Sequence, residues 1–265
     1  MFDNVRFMLP AERHTRIAEA LRRDDAIKVA ELAELLDVSE MTVRRDLDVL
    51  HEQGVLRKVH GGAISLGQRG VEPPSTTKAA RQRTEKEAIG RAALASIDDG
   101  MTIAVSAGTT TLELARLLRD RTSITVVTNS ISIFQELTGH AAEPGPIVYL
   151  TGGSRTPSDA LVGPVANATL DTFRVDAVFI GVHGFDVEAG LTTPNLAEAE
   201  TNRRLIATGR RLFVLADSTK CREVGTNVFA PIAAVNTLIV DDGLDDADRL
   251  ELAMHIDNIV IAETQ

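Results

Sequence analysis

Cysteine is almost missing: Cys221 is the one thiol in 265 residues. An intrachain disulfide is therefore excluded, and a reducing compartment fits. No apolar run reaches the roughly 18 residues that span a bilayer. The opening residues, MFDNVRFMLP, lack the long apolar core of a signal peptide. The chain reads as soluble and cytoplasmic. An excess of positive charge is missing too, with 28 Lys+Arg against 38 Asp+Glu and a net of −10. The first 66 residues hold 10 and 12, a net of −2, and the other 199 hold 18 and 26, a net of −8. Neither part is basic, so any DNA binding has to be argued from pattern, with charge counting mildly against it. What is present is an ordinary 44% of hydrophobic residues, in a chain long enough for two domains.

The densest pattern lies in residues 29–62, VAELAELLDVSEMTVRRDLDVLHEQGVLRKVHGG. Pro10 is placed to open a preceding helix through about Arg23, with Ile17, Ala20 and Leu21 as its apolar stripe. Val29, Leu32, Ala33 and Leu36 fall on one face of a second helix. Its N-cap is poor, because Lys28 offers no acceptor. Asp37 and Val38 make a turn, with Val38 plugging the core. Ser39 then caps a third helix, whose inward stripe is Val43, Leu47 and Leu50. Glu40 suits the positive end of that helix's dipole. Thr42, Arg44, Arg45 and Asp48 face outward, with Glu40 and Met41 at the tip. Gly54 is expected just past the helix end. Arg57, Lys58 and His60 follow on a two-stranded wing that turns at Gly61-Gly62.

This is the layout of a winged helix-turn-helix, which lays one helix in the major groove. Arginine can bond guanine bidentately or grip phosphate, and a threonine methyl can meet thymine. The DNA-reading set is Ser39, Glu40, Met41, Thr42, Arg44, Arg45, Arg57, Lys58 and His60. An isolated Arg-Arg pair would more often be a plain solvated face; the cap, the spacing and the basic wing together outweigh that. Asp46 and Asp48 are not read as DNA ligands. Asp46 is expected to pair within the domain and orient a neighbouring arginine.

The run Val38 to Leu47, followed by Gly54 to Ala63, resembles the DeoR family of bacterial transcriptional regulators. That family carries a TxRRDL…L…G…RxHGGA signature, and nearly every position matches. The resemblance implies a helix-turn-helix proper over 27–46, within a DNA-binding domain at 10–66.

Residues 67–84 mix Gly, Pro, Ser, Thr and cations, and read as a linker. A helix over 76–97, with Ile89, Ala92, Ala93 and Leu94 inward, begins the second domain, 78–265, expected to sense an effector and to oligomerise. Strands are expected at 102–105, 124–128, 147–150, 177–180, 211–216, 237–240 and 258–261. Helices fall between them at 111–119, 130–137, 164–172, 196–208 and 246–255. That alternation predicts an α/β fold with a doubly wound, mainly parallel sheet. Ligands of such sheets bind outside the carboxyl ends of the strands.

The loops at those ends are small and polar: Ser106 to Thr111, Thr128 to Ser130, Thr151 to Arg155, Gly181 to Asp186, Gly190 to Thr193, and Asp217 to Lys220. Any one is more often a plain turn. Six on one sheet edge point to a small anionic polyol. This half also resembles the DeoR-family sensor domain, similar in fold to ribose-5-phosphate isomerase and the CoA transferases. That resemblance implies a phosphorylated sugar or related metabolite as effector. It implies Gly108, Thr109 and Thr110 at the phosphate, with Asn129, Gly152, Gly153, Gly181, Gly184, Glu198 and Lys220 around the ligand. Lys220 would supply a point charge; its plainer role is a surface pair with Asp217. Ser106 stands where many family members have aspartate, which argues against isomerase-type chemistry.

The sequence therefore predicts a DNA-binding repressor of a carbohydrate operon released by a sugar phosphate, working as a homo-oligomer on repeated half-sites, with no metal, no cofactor and no membrane partner. The alternative is a sugar-phosphate isomerase or CoA-transferase-like enzyme carrying a DNA-binding module.

Overall fold

The computed structural model describes residues 8–24, 26–52, 55–65, 79, 81–139 and 145–264. It divides into two compact units, Met1–Arg69 and Gly70–Gln265. Gly54, Leu66 and most of the 67–84 segment, Pro73 and Pro74 included, lie outside the described residues.

In the first unit the apolar stripes become three helices: α1 (Pro10–Asp24), α2 (Val29–Leu36) and α3 (Glu40–Glu52). Ile17 and Leu21 of α1, Leu32 and Leu36 of α2, and Val43 and Leu47 of α3 meet in one core with exposures of 0–2%. Each such side chain removed from water contributes about 1.5–3 kcal/mol. Asp37 takes the left-handed conformation at the end of α2 (φ 52°), and Val38 packs against the core.

The wing differs from the expectation in two ways. It has three strands, because β1 (Ala26–Lys28) pairs antiparallel with β3 (Gly62–Ser65), which pairs with β2 (Leu56–Val59). The turn is His60-Gly61 rather than Gly61-Gly62, since Val59 pairs with Gly62. Gly61 sits at φ +80°, which favours glycine. Gly62 has a different reason: a Cβ there would lie 2.4 Å from the Ile27 carbonyl oxygen of β1. The third strand also rescues the poorly capped start of α2. Val29 N–H donates to the Gly61 carbonyl (2.8 Å), and Lys28 N–H donates to the Glu31 carboxylate (3.2 Å).

The second unit carries the seven expected strands in one parallel sheet: β4 (Thr102–Val105), β5 (Thr125–Thr128), β6 (Ile147–Leu150), β9 (Ala177–Gly181), β12 (Leu212–Leu215), β14 (Thr237–Asp241) and β15 (Asn258–Ala262). Their spatial order is β15-β14-β12-β9-β4-β5-β6. Alternate residues feed opposite faces: Val178 and Ile180 enter one core, Ala177 and Phe179 the other. On the Phe179 side lie α4 (Arg83–Leu94), α5 (Thr109–Leu118) and α6 (Ile131–Thr138); the opposite core includes residues of α7 (Pro164–Asp171), α8 (Leu196–Thr208) and α9 (Asp246–Leu252). Of the helix expected over 76–97, the described part α4 runs from Arg83 to Leu94; Gln82 before it sits at φ 49° and interrupts the helical path, and 76–78 and 80 lie outside the described residues. Ile89 and Ala93 are buried on α4, and Ala92 and Leu94 partly so.

Two small sheets include residues expected in loops. A hairpin joins β7 (Ser154–Arg155) to β8 (Leu161–Val162). An antiparallel sheet joins β10 (Gly184–Asp186), β11 (Gly190–Thr193) and β13 (Asn227–Ala230).

Candidate functional site: a DNA-reading helix and a sheet-edge crevice

Ser39 caps α3: its Oγ accepts from the Thr42 N–H (3.2 Å) and shares a hydrogen bond with the Thr42 hydroxyl (2.9 Å). Ser39 thus acts through Thr42 and the helix end. Met41 is 60% exposed, and Arg44 and Arg45 are also exposed, while Thr42 is half-buried. Arg44 donates to Glu40 one turn back (3.1 Å). On the wing, Lys58 is ion-paired with Asp48, His60 is exposed at the turn, and Arg57 is half-buried.

Asp46 is buried, as expected of an internal partner, but the arginine it orients is 33 residues away. Arg13 of α1 donates to both Asp46 oxygens (Nε 2.7 Å, Nη2 3.0 Å), and His14 Nε2 lies 3.1 Å from Oδ1. Burial alone would raise the Asp46 pKa. The hydrogen bonds and charge of Arg13 and His14 outweigh it and hold the carboxyl below its ordinary range. The same pair raises Arg13. This clamp fixes the recognition helix against α1.

In the second unit the strand order reverses direction between β4 and β9: the chain winds through β4, β5, β6 on one side and β9, β12, β14, β15 on the other. The carboxyl ends at such a switch point open a crevice. There Gly108 and Gly181 lie together: a Cβ on Gly108 would be 3.9 Å from the Gly181 Cα. Gly108 opens α5 with no side-chain cap, so the first-turn N–H groups of Thr109, Thr110 and Thr111 carry the positive end of the helix dipole. By contrast, α6 is capped by Ser130, α8 by Asn195 and α9 by Asp245.

Several of the expected ligand-contact residues make hydrogen bonds within the scaffold. Ser106 is 1% exposed; its Oγ accepts from the Gly181 N–H (3.0 Å) and donates to the Ala107 carbonyl (3.1 Å). A serine here stitches the β4 loop to the β9 loop. Asn129 is equally buried: Oδ1 accepts from Ala107 N–H (3.0 Å) and Nδ2 donates to the Leu161 carbonyl (3.2 Å). Glu198 is buried and accepts from the hydroxyls of Thr156 (2.6 Å) and Ser158. Asn129 and Glu198 thereby hold the same β7–β8 hairpin. Gly184 is not a loop glycine. It lies in β10, where a Cβ would meet the Glu223 backbone oxygen at 2.0 Å. Gly152 is half-buried and Gly153 exposed beyond β6. Lys220 ends a short 3-10 turn after β12 and forms no ion pair with Asp217, whose carboxylate accepts from Thr219 instead.

Two other cavities lie elsewhere. One of about 270 Å³ is bounded by Asp186, Arg222, Asp248 and Glu251, and one of about 550 Å³ by Asp99, Asp176, Arg210 and Arg211. Among the described residues no cluster of three or more His, Cys, Asp or Glu could hold a metal ion. No helix among them is long and apolar enough to cross a membrane.

A winged helix-turn-helix followed by a parallel α/β unit with a polar sheet edge is the architecture of a two-domain regulator. Comparison with known proteins narrows it. The model of the DeoR-like helix-turn-helix domain matches residues 13–69, and that of the DeoR C terminal sensor domain matches residues 81–242. Transcriptional repressor AccR of Agrobacterium fabrum is 35% identical over 234 residues, covering 88% of this chain and 90% of that protein. HTH-type transcriptional regulator GlpR of Haloferax volcanii is 35% identical over 246 residues, covering 92% and 95%. The chain belongs to the DeoR family; it is a DNA-binding transcriptional regulator. Among solved structures, ribose 5-phosphate isomerase A from Methanocaldococcus jannaschii aligns over 54% of this chain and 56% of its own, with 17% identity and a TM-score of 0.39.

Proposed function

We propose that this protein represses a carbohydrate-metabolism operon and is released from its operator by a phosphorylated sugar. The observation that carries the DNA half is the first two turns of α3, where exposed Arg44 and Arg45 stand beside Thr42 and next to a wing bearing Arg57, Lys58 and His60. Recognition helices read bases with this end, while wings and caps hold phosphates. Residues 10–66 serve as the DNA-binding domain, 67–84 as linker, and 78–265 as the sensing and oligomerisation domain. The work is done in the cytoplasm.

The effector half rests on the crevice at the β4–β9 switch point. The uncapped α5 N-terminus favours an anion, and Gly108 and Gly181 let it approach the backbone. Thr109 and Thr110 flank that anion, Gly152 and Gly153 line the approach, and Lys220 adds charge. Ser106, Asn129, Glu198 and Gly184 shape the walls. Release requires that the sugar phosphate bind the DNA-free form more tightly than the DNA-competent form.

One winged helix reads too few base pairs to specify a genomic site, so the protein acts as a homo-oligomer on repeated half-sites. The edge strand β6 supports self-association: among the described residues β5 is its one strand neighbour, it carries no charge, and it exposes Ile147 (58%) and Tyr149 (49%). Gel retardation of the DNA upstream of its own operon, with and without a sugar-phosphate panel, tests the whole reading. Retardation relieved by one phosphorylated sugar supports it. No retardation at low salt refutes the DNA half, and retardation blind to every sugar phosphate refutes the effector half.

A further inference from the structure

The wing's Lys58 is not free in the absence of DNA. Its ammonium is paired with Asp48, on the outer face of α3 (2.5 Å). The pair is open to solvent, with side-chain exposures of 36% for Lys58 and 53% for Asp48. Asp48 lies two turns along the helix from Glu40, which holds Arg44 in the same manner. Among the described residues Arg45, between them, forms no ion pair. A module of net −2 therefore carries carboxylates that occupy two of its own DNA-facing cations.

We propose that Asp48 is an internal competitor of DNA phosphate for Lys58, and that it lowers affinity for duplex of any sequence. The inference rests on the reading of the wing as a DNA contact. An ammonium is a point charge with no demanding geometry, so Lys58 can exchange a carboxylate oxygen for a phosphate oxygen by rotating its own side chain. The exchange forms one ion pair and breaks another, so its net gain is small. After the exchange Asp48 is left unpaired beside a polyanion. Because phosphate contacts carry no sequence information, this cost falls equally on operator and on random DNA. It keeps the protein from being trapped on bulk DNA and leaves stable binding to several copies acting together.

The test is fluorescence anisotropy of a labelled random-sequence duplex with the full chain, in a cycle of Asp48→Asn, Lys58→Gln and the double variant, at low and at moderate salt. Lys58→Gln is expected to weaken binding and to reduce the salt slope by about 0.9, one phosphate contact. Asp48→Asn is expected to strengthen binding about 2- to 5-fold at low salt, the range of an exposed ion pair, with the gain fading as salt screens that pair. In the Lys58→Gln background the gain from Asp48→Asn is expected to fall to the small general effect of deleting one negative charge. Equal gains in both backgrounds would overturn competition. So would weaker binding by Asp48→Asn, which would make Asp48 a residue that aims Lys58 at the DNA. No effect of Lys58→Gln on affinity or slope would instead overturn the wing contact itself, and the competition with it.

Discussion

Asp46→Ala removes the acceptor of three side-chain contacts, two from Arg13 and one from His14, and leaves the Arg13 guanidinium, at 12% side-chain exposure, without its carboxylate and bonded to the Met8 carbonyl (2.9 Å). Breaking one partner of a buried ion pair costs about 3–5 kcal/mol. The residual side-chain exposures of Arg13 (12%) and His14 (22%), and the Met8 carbonyl that Arg13 keeps, put this case at about 3 kcal/mol. For a unit of this size each kcal/mol moves the midpoint by about 4–8 °C, so the first unit should lose on the order of 12–24 °C. Urea unfolding followed by hydrogen exchange, resolved to the α3 amides, measures it. Among the described residues each unit has its own buried core, so the second unit's amides should keep wild-type protection. A loss below about 1 kcal/mol in α3, or an equal loss in β4 and β9, would refute the clamp.

The same clamp sets a pH dependence. The folded Asp46 carboxyl lies below its ordinary value, so its contribution is fully present above about pH 4 and is lost as the pH falls through the lower folded value. Wild type should lose first-unit stability there and Asp46→Asn should not, and parallel acid titrations of the two would contradict the assignment. Arg45→Ala should weaken operator binding by about 1–3 kcal/mol and relax preference at one base pair, read by anisotropy on single-base operator variants; uniform weakening would make it a phosphate contact. Ser106→Ala leaves the Gly181 N–H without its acceptor, and should destabilise the second unit by about 1–3 kcal/mol in urea unfolding; a neutral result would mean that water replaces the hydroxyl. Lys220→Ala should leave DNA affinity intact and blunt effector release, whereas collapsed DNA binding would make Lys220 structural.

Much of this fold was legible because its elements obey simple periods. Strands such as 102–105 and 212–215 are short apolar runs buried on both faces, and helices such as α2 repeat apolar residues every third and fourth position. What escaped reading depends on distant partners. β1 is three residues, Ala26 to Lys28, with no period of its own, and it exists because β3 pairs with it. Gly184 and Thr192 look like loop residues, yet Gly184 is pressed against Glu223, and Thr192 donates to its carbonyl (3.1 Å). In the crevice, residue type identified the neighbourhood but not which way each group is spent. Ser106 and Asn129 have the chemistry of ligand contacts, and their hydrogen bonds go to the scaffold. Only three-dimensional proximity distinguishes the two uses, as with Asp46 and Arg13.

The proposed regulator is a DNA reader whose grip is set by a small phosphorylated ligand. Its most direct test is the anisotropy of a labelled upstream duplex with the full-length protein, titrated against sugar phosphates, their unphosphorylated sugars and inorganic phosphate. One phosphorylated sugar should lower operator affinity about 5- to 150-fold, the span of typical coupling energies, while its unphosphorylated form and phosphate alone leave it unchanged. Unchanged affinity with every sugar phosphate, or no binding to the duplex at low salt, would contradict the account.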